Sequence, residues 1–256
     1  MSSIEEPPRS VVFLPGGVLP AAPQYGALLG ALDGKVRPFL KDLEVYAGDE
    51  PPKDYALDIE VEAVKRFAES NGLTGFDLVG YSGGGAIGLA VTARYPELVK
   101  SLALSEPAVI PSQQWFREES SAQAELNQIM SLPPEQQMLA FIRAHLRPGV
   151  QPPPPPSGPA PDWMRKRPAG LQALNNAFNN YDLDVTELQR FRSPVYIAVG
   201  GLSIALFERM ADRLTGLFPN AKCQIYEGRH HFDPPQRAEP ERFAGALLEL
   251  WSRAPI

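Results

Sequence analysis

Residues 80–84 read Gly80-Tyr81-Ser82-Gly83-Gly84, a serine set among glycines in the pattern G-x-S-x-G, with a further glycine at position 85. The apolar run 76–81 reads as a strand, and the small and apolar residues 84–95 read as a helix ending before Pro96. A serine held on a sharp turn between a strand and a helix has its hydroxyl pushed out above the sheet, where it can act as a nucleophile. The flanking glycines let neighbouring elements approach without Cβ clashes. The N–H of Gly83 would then sit at a helix N-terminus, whose partial positive charge favours a developing oxyanion. The competing readings are a glycine-rich packing turn or a phosphate-binding loop. A P-loop requires Lys-Ser/Thr after its glycines, and Ala86-Ile87 stand there instead.

The elements that must carry this serine alternate in type. Residues 10–14 (SVVFL) read as a strand that stops at Pro15-Gly16-Gly17, residues 21–32 as a helix and residues 36–46 as extended chain. Residues 57–70 carry apolar side chains mostly on one helical face and stop at Asn71-Gly72. A strand is expected at 99–105. The rhythm resumes with strands at 195–199 and 223–226 and helices at 204–217 and 237–253. Strands alternating with helices predict a mostly parallel sheet covered on both faces. The stretch between breaks that rhythm, with helical pieces near 112–131, 134–146, 162–180 and 184–190. Five consecutive prolines at 152–156 interrupt it and predict a stiff polyproline II connector. The reading is therefore an α/β core of residues 1–106 and 193–256, with residues 107–192 a helical lid inserted at a carboxyl strand end, the edge where ligands bind in such sheets.

In this order of strand, PGG loop, GYSGG turn, helical insertion and late histidine, the chain resembles the α/β-hydrolase family over nearly its full length. The N-terminus is short for the largest members, which implies about six strands. Pro15 stands where that family usually has histidine, so what carries over is backbone: the N–H of Gly17, with Val18 as an alternative, would join that of Gly83 in an oxyanion hole. The chain has three histidines, His145, His230 and His231. His145 falls in the inserted block and is expected at the surface or in the lid. The resemblance puts the general base in "EGRHHFDPP", at His231, with His230 as rival. The family's most frequent acid position follows the strand at 195–199, but Gly200-Gly201-Leu202-Ser203 contains no carboxylate. Glu106, at the end of the neighbouring strand, is the replacement. Asp233 and Asp184 are weaker candidates, and a Ser203- or water-supported diad remains open.

Such a set implies acyl transfer: a serine hydrolase acting through an acyl-enzyme on carboxylic esters or lactones of small to medium apolar substrates. Tyr81, Trp115, Phe116, Trp163, Met164 and Phe178 could line the substrate pocket, or could simply pack lid onto core. Carbon–carbon bond hydrolases, thioesterases, cofactor-free peroxidases and hydroxynitrile lyases share such residues, and a non-catalytic ligand receptor is the rival from another class.

The bulk properties set no substrate, but they exclude some partners. The formal net charge of −6 over 256 residues argues against a nucleic-acid partner. No run of about 18 apolar residues exists, so no membrane span is expected. Glu5 and Glu6 occupy the place of a basic signal-peptide region. A single cysteine, Cys223, excludes an intrachain disulfide and fits a cytoplasmic location. No Cys/His cluster has metal-ligand spacing, so neither metal nor cofactor is expected. Oligomeric state is not legible.

Overall fold

The computed structural model describes residues 8–110, 120–154 and 158–255. Six strands form one sheet: β1 (Arg9–Leu14), β2 (Val36–Leu40), β3 (Phe76–Tyr81), β4 (Val99–Ser105), β5 (Val195–Gly200) and β6 (Ala221–Tyr226). Their order is β2-β1-β3-β4-β5-β6 and every pairing is parallel. The direction of strand addition reverses around β1, which opens a crevice at the carboxyl edge.

Alternation along each strand sends side chains to two separate cores. Val12, Leu14, Leu78, Ile197 and Val199 face α2 (Leu57–Ser70), α3 (Gly83–Arg94) and α8 (Ala205–Leu217). Val11, Phe13, Val79, Tyr196 and Ala198 face α1 (Ala21–Leu32) and α10 (Pro240–Ser252). Strands buried on both faces read as continuous apolar runs, as 10–14 and 195–199 do.

Several boundaries differ from the sequence expectation for local reasons. The extended stretch at 36–46 ends at Leu40, because residues 44–46 make a 3-10 turn whose Glu44 and Val45 N–H groups donate to the Glu60 carboxylate (3.0 Å each). Pro38 is tolerated because β2 is an edge strand. The closing helix is split into α9 (Pro235–Ala238) and α10, with Pro240 at the first turn of the second helix, where its missing N–H costs nothing.

Between β4 and β5 lie α4 (Ser120–Met130), α5 (Pro134–Ala144), α6 (Arg167–Asn179) and α7 (Val185–Arg190). A 3-10 turn (Asp162–Lys166) precedes α6. Of the proline run, residues 152–154 carry no regular element and the rest lies outside the described residues. Among the described residues, no helix is long and apolar enough to cross a membrane.

Candidate active site

Ser82 joins β3 to α3 with φ 52° and ψ −119°. A non-glycine residue at such a φ persists only when its surroundings over-determine it. Here the Ser82 N–H donates to the Ser105 carbonyl (3.0 Å), and its own carbonyl accepts from the N–H groups of Gly85 (2.9 Å), Ala86 (3.1 Å) and Ala108 (2.9 Å). Two glycines are required by close approach. A Cβ on Gly80 would lie 2.5 Å from the Gly84 carbonyl oxygen, and one on Gly84 would lie 2.4 Å from the carbonyl oxygens of Leu14 and Pro15. The turn is thus pressed against both its own helix and the loop after β1.

Three carboxyl strand ends meet at this point. The Ser82 hydroxyl donates to His231 Nε2 at 3.0 Å, and His231 Nδ1–H donates to Glu106 Oε2 at 2.8 Å. Ser82 follows β3, Glu106 follows β4 and His231 lies in the loop after β6. Glu106 is itself at φ 43°. Its N–H donates to the Ala198 carbonyl (3.1 Å), and its Oε1 accepts from the Gly200 N–H (2.7 Å). The end of β5 with its following loop therefore contributes a backbone donor and no acid. It has little room for one, since a Cβ on Gly200 would meet the Arg229 carbonyl oxygen at 2.6 Å, and one on Gly201 would meet Glu227 Cα at 2.8 Å.

The imidazole is clamped. The Phe207 ring stacks on it at 4.7 Å and 8°, and Tyr81 donates its hydroxyl hydrogen bond to the His231 carbonyl. Burial pushes the His231 imidazole well below its ordinary range, with the neighbouring His230 adding to the effect. Burial also pushes the Glu106 carboxyl up, to about 7, against the opposing pull of its hydrogen-bond donors. His230 is occupied otherwise: its Nδ1 accepts from the N–H groups of Phe232 (3.2 Å) and Asp233 (3.1 Å), closing the turn. Asp233 pairs with Arg229 (2.6 Å), and Asp184 caps α7 through the Glu187 N–H (3.1 Å). Neither approaches Nδ1 of His231, whose partner is Glu106 and not Ser203.

The loop after β1 brings Gly17 beside the serine. A Cβ on Gly83 would lie 3.6 Å from the Gly17 nitrogen. Neither the Gly17 nor the Gly83 N–H donates a hydrogen bond among the described residues. Tyr25 donates to the Leu14 carbonyl (2.7 Å) and Tyr46 to the Gly17 carbonyl (2.6 Å), so the loop is held at both ends.

A cavity of about 380 Å³ opens over Ser82, Gly17, Gly83 and His231. Tyr81, Met164 and Phe178 line it. Trp163 does not: it borders a second hollow of about 320 Å³ beside Tyr46. There the Arg167 guanidinium sits 5.0 Å from its ring centroid, a cation–π contact. Trp115 and Phe116 lie outside the described residues. His145, expected at the surface or in the lid, is 8 % exposed and stacks on His231 at 4.7 Å. Nothing local in the sequence signals that contact, because it joins the end of α5 to the loop after β6.

Structural comparison returns related folds at low identity. The protein Rv0554 from Mycobacterium tuberculosis superposes with TM-score 0.74 at 17% identity, covering 97% of this chain and 92% of that one. The carboxylesterase CesB from Bacillus subtilis gives 0.68 at 18%, covering 96% and 84%. A hydrolase from Pseudomonas aeruginosa gives 0.64 at 17%, covering 95% and 90%. No curated protein matches the chain significantly by sequence. The family model for the alpha/beta hydrolase fold, however, matches residues 10–238, from β1 through the histidine loop to the end of α9, and the chain belongs to that family.

Proposed function

We propose that the protein is a serine hydrolase that cleaves carboxylic esters or lactones of small to medium apolar substrates through an acyl-enzyme. The observation that carries this reading is the unbroken hydrogen-bonded chain from the Ser82 hydroxyl through His231 to Glu106, at 3.0 and 2.8 Å. In this reading Ser82 Oγ attacks the scissile carbonyl while its proton passes to His231 Nε2. The new oxyanion takes hydrogen bonds from the Gly17 and Gly83 N–H groups. One such donor is worth about 3 kcal/mol of barrier. The imidazolium returns its proton to the departing alkoxide, which leaves as alcohol. Water, deprotonated by the same imidazole, then attacks the acyl carbonyl and releases the acid and free Ser82. Glu106 fixes the tautomer with hydrogen on Nδ1 and stabilises the imidazolium.

The cavity supports the substrate class. Its volume falls within the range of small-molecule sites, and Val109, Met130, Phe141, Leu174 and Phe178 give it largely apolar walls. We read residues 107–192 as the cap over this cavity, because α5 and α6 contribute several of those walls.

The test is a fluorophosphonate probe at neutral pH, followed by a panel of p-nitrophenyl esters and simple lactones. Labelling at Ser82 with turnover of short or medium acyl chains is expected. A folded sample that is neither labelled nor active would overturn the proposal and favour a non-catalytic receptor.

A further inference from the structure

His145 is buried beside the candidate site yet has no part in the proton path from Ser82 to Glu106. It closes the C-terminal end of α5, where its Nδ1 lies 2.7 Å from the Phe141 carbonyl oxygen. A carbonyl only accepts, so Nδ1 carries the hydrogen and Nε2 is left with a lone pair. Burial, reinforced by the neighbouring His231, pushes the imidazole down to about 3, which keeps it neutral.

The ring is held on every other side. Its face packs on His231 at 4.7 Å and 25°, with Phe141 at 4.4 Å. Its backbone carbonyl accepts from the Ile204 N–H (3.1 Å), and Arg147 N–H donates to Leu202 O (3.0 Å). The end of α5 is thereby stitched to the loop after β5, the strand whose last N–H, that of Gly200, holds Glu106. Nε2 alone has no hydrogen-bond partner among the described residues, and His145 lines the cavity over Ser82. A fixed acceptor in a largely apolar cavity is a recognition feature: a ligand that supplies a donor satisfies it, and one that does not leaves it unpaired.

We propose that His145 Nε2 accepts a hydrogen bond from a hydroxyl on the alcohol portion of the substrate, so that the preferred substrates are monoesters of diols or polyols. This rests on the hydrolase reading above. In that reading His231 Nε2 delivers the proton to the leaving alcohol, and the imidazole stacked on His231 presents a neutral acceptor on the wall of the same cavity. A second hydroxyl on the leaving alcohol therefore has a partner there, and a plain alkyl alcohol of the same size has none.

The decisive comparison is 2-hydroxyethyl butanoate against propyl butanoate, which differ by one hydroxyl in place of a methyl group, followed by pH-stat. The wild-type protein is expected to favour the hydroxylated ester by about tenfold or more in kcat/KM, the worth of one satisfied hydrogen bond in such a site. His145→Asn keeps a donor near the Nδ1 position but removes Nε2, and should bring the ratio close to one. His145→Gln places a polar atom near Nε2 and should retain part of the preference. A purely structural role for the ring would make Asn the milder change and leave the ratio untouched in both variants. A binding arm is independent of turnover: in Ser82→Ala, N-(2-hydroxyethyl)butanamide should bind about tenfold more tightly than N-propylbutanamide, and His145→Asn should erase the difference. Equal binding of the two amides, or a wild-type ester ratio near one, overturns the proposal. Absence of fluorophosphonate labelling at Ser82 overturns the hydrolase reading instead, and the binding arm still decides the role of His145.

Discussion

Glu106 reaches His231 from the end of β4, one strand nearer the serine than the loop in which the family's acid most often sits, and the Gly200 N–H, at the end of the strand leading into that loop, holds the other oxygen of the same carboxylate. The consequence is a fixed carboxylate whose two oxygens have separate duties. Oε2 faces the imidazole and Oε1 is tied to the sheet. Glu106→Gln should lower kcat by roughly 10³- to 10⁴-fold while the fold remains, by analogy with other triad carboxylate-to-amide changes. Adding Gly201→Asp should not restore activity, because its Cβ meets Glu227 Cα at 2.8 Å. Steady-state kinetics with circular dichroism on the single and double variants checks this. Near-wild-type turnover in Glu106→Gln would remove Glu106 from the mechanism.

The adjacent histidines separate cleanly. His231→Ala should cost as much turnover as Ser82→Ala, on the order of 10⁴-fold or more, since members of one triad fail together. His230→Ala should cost less than tenfold in kcat, because its ring serves the turn and not the serine. It should instead lower stability by about 1 kcal/mol, as the Phe232 N–H loses its acceptor while the Asp233 N–H keeps the His230 carbonyl (2.9 Å). Denaturant titration alongside kinetics distinguishes the two effects, and equal losses of activity would refute the assignment.

The pH dependence follows from burial. With one proton shared by the pair, on Nδ1, Glu106 is ionised and Nε2 is free to act as base. Burial disfavours the imidazolium and raises the carboxyl to about 7, so the next proton enters at Glu106. kcat/KM should therefore fall about tenfold per unit below a limb near pH 7. The residual activity of Glu106→Gln should lack this limb. Stability gives the opposite sign. A carboxyl raised in the folded state contributes fully below its unfolded value near 4.3 and loses that contribution as pH rises through about 7. The Tm of Glu106→Gln relative to wild type should accordingly increase from pH 5 to pH 8. A pH-independent difference would show that the carboxyl is not raised.

What the sequence carries and what it omits divide along contact range. The turn at Ser82 is legible because its cause is local: a strand, a run of glycines and a helix within fifteen residues. The sheet is legible because each strand is an apolar run closed by a turn signal, although Glu60, sixteen residues past Glu44, shortens the stretch after Val36. Glu106 emerges from the missing carboxylate at 200–203 together with a glutamate at the next strand end, and the packing of Gly200 and Gly201 against 227–229 gives that absence a steric reason. The neighbours of His145 and Trp163 are not legible in the sequence, because those partners, His231 and Arg167, are chosen by how the inserted helices settle on the sheet. Periodicity marks a residue as apolar or helical. It does not say which neighbour across the fold takes its ring.

The Tyr46 hydroxyl offers a last test, since it lies outside the proton path yet donates to the Gly17 carbonyl at 2.6 Å. That bond holds the peptide leaving Gly17, whose nitrogen lies 3.6 Å from where a Cβ on Gly83 would be. Burial raises the phenol to about 12, with the Arg167 cation opposing, so it remains a donor throughout the working pH range. Tyr46→Phe keeps the ring and its cation–π contact with Arg167, whose guanidinium lies 3.8 Å from the centroid. The fold should therefore survive with a loss of about 1 kcal/mol. If the N–H of Gly17 meets an oxyanion, the loosened loop should lower kcat by about tenfold with KM nearly unchanged, because the donor is aimed at a group that exists only in the transition state. The tetrahedral mimic formed by a trifluoromethyl ketone should weaken by the same factor. A rise in KM alone would instead assign Tyr46 to shaping the cavity wall.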